Sequence, residues 1–140
     1  MGARDWTAPW QPAAAGKPAL ARDWALAVTP FGPAGTGRAE VELHLRRHLE
    51  SLHDALLAEP PDGAAAERVG AALVGLRLDD PGALAATVAV LGDRLLVELG
   101  LDEVTFAGPL HGLLGSLAAG YARALAAGFT ADGQREDRVR

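Results

Sequence analysis

Leu110, Leu114, Leu117, Tyr121 and Leu125 recur at intervals of four, three, four and four residues. That spacing holds them in one stripe along a helix that turns every ~3.6 residues. Gly115, Ala118, Ala119, Gly120 and Ala122 occupy most of the positions between them. The apolar stripe must be covered, and the small residues let neighbours approach closely from more than one side. The spacing therefore predicts a central helix that the rest of the chain packs around.

Composition points the same way. Apolar residues make up 49% of the 140-residue chain but aromatics only 5%, so the core has to be built from Leu, Val and Ala. Such residues suit packed helices, whereas strands favour β-branched and aromatic side chains. The length is that of one domain with a single core. The fold class expected is all-α: a bundle of about five helices with the C-terminal helix at its centre, in an arrangement that could be globin-like.

Met1–Pro18 mixes Pro, Gly and Ala around Trp6 and Trp10 without periodicity, so residues 1–18 are expected to form a flexible arm. A helical domain should occupy 19–130. In it, Ala19–Val28 aligns Leu20, Trp24 and Val28, and Thr29–Gly37 interrupts with two prolines and three glycines. Arg38–Ala58 is the clearest amphipathic segment, with Val41, Leu45, Leu49, Leu52 and Leu56 on one side. Glu40, Arg46, Arg47, Glu50 and Asp54 mostly oppose that stripe. Pro60 and Pro61 end this helix, and Asp62 is placed to cap Gly63–Leu76. Asp79-Asp80-Pro81 is a start signal for a helix that closes near Leu99, with Gly100 just beyond it. Leu101–Thr105 reads as a short connection, and the last helix is expected from Phe106, with Pro109 near its start. After Phe129 the apolar pattern stops, so 131–140 is expected to be a charged exit linker, or the frayed continuation of the helix.

A net charge of −5 argues against nucleic acid as the main partner, since phosphate binding needs a basic face. Cysteine is absent, which removes disulfides, thiolate nucleophiles and thiolate-bound metals. No secretion-signal pattern or long apolar run stands out, so the expectation is a cytoplasmic protein with no membrane partner.

No nucleophile elbow, P-loop, dinucleotide fingerprint or Ser/His/Asp arrangement is present, and the chain is not expected to be an enzyme. His44 and His48 stand at a spacing that can serve one metal, but no further ligand pattern accompanies them, so neither metal nor cofactor is expected. Trp24, His48, Thr87, His111 and Tyr121 are the polar-capable side chains nearest the apolar stripes, and they are the ligand-pocket candidates. The competing account is structural: Thr87 bonded one turn back to the Ala83 carbonyl, Tyr121 reaching the surface.

Three segments carry a family resemblance: DWALAVTPF near the start, GAALVGLRLDDPGALAATVAVLGDRL over Gly70–Leu95, and LHGLLGSLAAGYAR over Leu110–Arg123. In that order they resemble the N-terminal helical domain of actinobacterial cyclic-di-GMP signalling proteins, in which it precedes PAS, diguanylate cyclase (GGDEF) and phosphodiesterase (EAL) modules. The resemblance implies a non-catalytic sensory input domain that senses a small molecule or partner and relays through its C-terminal helix, and the small-residue helix faces point to a homodimer. No GGDEF or EAL motif occurs in the chain, so no catalytic residue carries over. Ala126-Ala127-Gly128-Phe129 replaces the charged residues that the family pattern has there. Two other readings of the residues stay open: a helical protein–protein interaction or scaffold module, and a haem- or metal-binding globin-like sensor.

Overall fold

The computed structural model describes residues 12–33, 35 and 37–139, with side chains over 16–33, 35 and 37–128. Trp6 and Trp10 lie outside the described residues, as does Arg140. The chain forms α1 (Pro12–Val28), a 3-10 turn (Thr29–Phe31), α2 (Arg38–Leu57), α3 (Gly63–Gly75), α4 (Pro81–Leu99) and α5 (Glu103–Val139). Among the described residues there is no strand, and the all-α bundle expected from the sequence is what the chain builds.

Short side chains set where the helices begin. The Asp62 carboxylate accepts the Ala65 N–H at 3.1 Å and that of Asp80 accepts the Gly82 N–H at 2.7 Å. Each satisfies a donor that the first helical turn leaves unpaired, and a cap of this kind stabilises by about 1 kcal/mol. Asp102 does the same for α5, accepting the Thr105 N–H at 2.9 Å and the Thr105 hydroxyl at 2.7 Å. Those bonds, the hydroxyl's first, hold its carboxyl below the usual carboxylate range. The ends are equally explicit. At α4, Gly100 takes φ 69° and the Leu101 N–H donates to the Leu96 carbonyl at 2.9 Å. At α3, Arg77 and Leu78 donate to the Val74 and Leu73 carbonyls at 2.9 and 3.0 Å, the paired bonds of a Schellman cap. There the left-handed position, φ 68°, is held by an arginine.

Two seams organise the core. α1 lies between α4 and α2, burying Leu20, Ala21, Trp24, Ala25 and Val28. α3 and α5 form the most extensive helix pair and run in the same direction. Their backbones meet at glycines. A Cβ on Gly70 would lie 2.0 Å from the Leu117 carbonyl oxygen, and one on Gly120 would lie 2.1 Å from that of Glu67. The α1–α4 seam has its own close approach, with Gly16 against the Glu98 carbonyl.

The structure corrects three boundaries. α1 begins at Pro12 and not at Ala19, so part of the expected arm is helix. Tertiary contacts and not an apolar stripe hold this stretch: Gly16 seats on Glu98, and Lys17 pairs with Glu50 at 2.9 Å. α5 begins at Glu103 and not at Phe106, because Asp102 caps it, and Pro109 falls inside the helix. It also runs on to Val139, past the expected domain end at 130, so 131–139 takes the helical of its two expected forms.

The central helix is corrected as well. α5 buries one face only, through Leu110, Leu113, Leu117, Gly120 and Tyr121. His111, Gly112, Gly115, Ala119 and Ala122 are exposed, while Leu114 and Leu125 are partly buried. The small residues therefore serve one close partner, α3, and do not admit neighbours on every side.

Glycine substitutions will separate the two roles. Gly70→Ala and Gly120→Ala force apart packed backbones and should each lower unfolding stability by roughly 2–3 kcal/mol. Gly112→Ala and Gly115→Ala, where a Cβ meets nothing within 4 Å, should each raise it by about 0.5–1 kcal/mol. Urea denaturation of the four variants checks both signs. In the same assay Arg77→Gly relieves a left-handed non-glycine residue and should gain about 1 kcal/mol.

Candidate functional site

Of the five ligand-pocket candidates, Trp24 and Thr87 are brought into contact with each other. Trp24 and Thr87 are buried in the α1–α4 seam, where the indole Nε1–H donates to the Thr87 hydroxyl oxygen at 2.9 Å. Thr87 thus pairs across the seam with the indole, which would otherwise be a buried unsatisfied donor. The Tyr121 hydroxyl does not reach the surface as expected. It lies 2.8 Å from the Leu78 carbonyl oxygen and 2.9 Å from that of Asp80, sharing one proton between them and tying α5 to the α3–α4 loop. Burial, then Asp79 and Asp80, push its ionisation up from the ordinary tyrosine value. His48 is half-buried on α2, and His111 is exposed on α5. Around His44 and His48, and elsewhere among the described residues, no group of three His, Cys, Asp or Glu side chains is placed to hold a metal.

A concavity lies elsewhere, over the α3–α5 seam. Ala64, Glu67, Arg68 and Ala71 present successive turns of α3, and Gly120, Arg123 and Ala124 complete it from α5, around about 470 Å³. It is a groove open to solvent along its length. The methyl groups of Ala64, Ala71 and Ala124 make part of its lining apolar, and Gly120, packed against the Glu67 backbone, closes it between the helices. Arg123 Nη2 donates to Glu67 Oε1 at 2.9 Å, so one ion pair spans the groove between the helices. Arg68 makes no hydrogen bond or ion pair among the described residues, which leaves its guanidinium available.

Chemically this lining can bind but offers no nucleophile, and its one carboxylate is engaged by Arg123. None of the five candidates lines it. Two smaller hollows accompany it. One of about 10 Å³ lies under the α1–α2 connection beside Thr29, Val41 and Leu78, and a shallow one of about 140 Å³ lies on α2 beside Leu43 and Arg46. The first has room for about one water molecule.

The groove left a partial trace in the sequence. Ala64, Glu67, Arg68 and Ala71 share one helix face by spacing, as do Gly120, Arg123 and Ala124. What joins the two faces is the register of α3 on α5, and that register is fixed by Gly70 and Gly120 in three dimensions.

Compared with protein-family models, curated proteins and solved structures, the chain matches none. Among the described residues no helix is long and apolar enough to cross a membrane.

Burial first, then His44 one turn away, hold the His48 imidazole below its ordinary value of 6.5. The folded state thus binds the proton less readily than the unfolded state does. Stability should be complete above about pH 6.5 and fall as the pH drops below that value toward the folded-state pKa. Thermal melts between about pH 7.5 and 5.5 should show this loss, and His48→Gln should reduce the slope.

Proposed function

We propose that this chain is a non-catalytic regulatory input module whose readout is the α5 helix. The observation that carries the proposal is how α5 is held and where it goes. One face is locked to α3 by backbone contacts at Gly70 and Gly120, and the helix then continues from Leu125, the last partly buried apolar side chain described, to Val139. Those fourteen residues add roughly 21 Å of helix at ~1.5 Å per residue. A seam packed this closely does not deform smoothly, so a change at the groove shifts α5 as a unit and carries that shift outward.

The resemblance to input domains of cyclic-di-GMP signalling proteins supplies the setting. In that setting the output is a diguanylate cyclase or phosphodiesterase module, the active unit is a cytoplasmic homodimer, and the input is a small molecule. The uncharged exposed side of α5, through Gly108, Gly112 and Gly115, fits the approach of a second copy, because among the described residues nothing lies within 4 Å of a Cβ added at those glycines.

The test is helical phase. Residues 1–140 are fused in frame to a diguanylate cyclase catalytic domain, and one to four alanines are inserted after Ala131. Each insertion rotates the exit by about 100° and lengthens it by ~1.5 Å. Cyclase rate should vary with phase, with the four-residue insertion close to the parent. A rate that is the same for every insertion, or that falls steadily with length, defeats the proposal.

A further inference from the structure

The groove on the α3–α5 seam has a charge balance that selects a ligand. Arg68 and Arg123 contribute two positive charges and Glu67 one negative, a local excess of one in a chain whose net charge is −5. Arg123 is already neutralised by Glu67 at 2.9 Å, so the unmet charge belongs to Arg68. A monoanion brings the site to neutrality, whereas a dianion such as phosphate leaves an uncompensated negative charge beside Glu67. Beside the guanidiniums, Ala64, Ala71 and Ala124 offer methyl groups, with no further hydrogen-bonding side chain in the lining. The body that rests there must be apolar. Its volume of about 470 Å³ lies within the range of small-molecule sites, ~300–1,000 Å³.

We infer that this groove binds a small monocarboxylate with an apolar body, its carboxylate paired with Arg68 and its body lying across α3 and α5 over Gly120. The inference rests on the regulatory reading above and supplies its input. A planar guanidinium accepts a carboxylate in bidentate fashion, which fixes the head while the alanine methyl groups take the body. Arg123 stays with Glu67 and closes one end. A ligand seated in this way touches both helices at the point where their backbones are nearest, so occupancy bears directly on the α5 register.

The experiment uses the 140-residue chain and phenylacetate as probe, followed by amide chemical shifts at constant ionic strength. Saturable shifts should concentrate at Ala71, Gly120 and Arg123, with a midpoint in the low millimolar range, near about −3 to −4 kcal/mol of binding free energy. Phenylacetamide, neutral and of the same shape, should bind about tenfold more weakly or not at all, and so should inorganic phosphate. Arg68→Gln, at an exposed position, should raise the midpoint about tenfold while resonances outside the groove stay in place. The inference is overturned by a linear, unsaturated titration, by equal binding of phenylacetamide, by tighter binding of phosphate, or by an Arg68→Gln protein that binds as the parent does. Because binding is read without any output module, it stands or falls separately from the helical-phase test. Binding with no phase dependence sinks the relay alone, and phase dependence with no binding sinks the ligand alone.

Discussion

The contact on which most of this structure depends is made by backbone and not by side chains. Gly70 and Gly120 let α3 and α5 come together until carbonyl oxygens occupy the space where a methyl group would stand. Close approach of this kind sets the register along the whole seam. It places Gly63 beside Ser116, Glu67 beside Gly120, and Arg123 within ion-pair distance of Glu67. The groove follows from the same geometry, because it lies along the outer edge of that contact. Tyr121, one residue further along α5, then reaches the α3–α4 loop with its hydroxyl and fixes the far end.

Elsewhere the bundle divides its labour between apolar burial and a few polar bonds. The α1–α4 seam is sealed by leucines and alanines and by the bond from Trp24 to Thr87, which gives the buried indole N–H its acceptor. At its edge Arg94 pairs with Asp23 and with Glu98, and Lys17 pairs with Glu50 across α1 and α2. These pairs are partly exposed, so water screens them and their contribution to stability is small. They mark the orientation of the helices more than they hold them together.

Much of this order was legible in the chain. The stripe through Val41, Leu45, Leu49, Leu52 and Leu56 gave α2 to within a residue, and Asp80, Pro81 and Gly100 bracketed α4. Those signals are local, because a cap or a stripe acts within one or two turns. One difference is non-local: α1 extends back to Pro12 because Gly16 and Lys17 find partners on α4 and α2, which no spacing in α1 announces. Another is local: Asp102 falls in a segment that reads as a short connection, yet Thr105, three residues on, completes a cap. Three of the five pocket candidates, Trp24, Thr87 and Tyr121, are taken up by internal bonds that no spacing announces. The groove's residues were ordinary alanines and arginines until two faces were brought into register.

α5 carries Gly108, Gly112, Gly115 and Gly120 within its packed portion, together with Pro109. Four glycines set the helix back by about 4 kcal/mol relative to alanine, before the proline is counted. Detached from α3, such a segment would not persist as a helix in water. Its helical form is therefore lent by the body it leans on, and α5 can move as a unit only while that contact is intact. The stiffness of the exit is thus a property of the seam behind it and not of the rod itself.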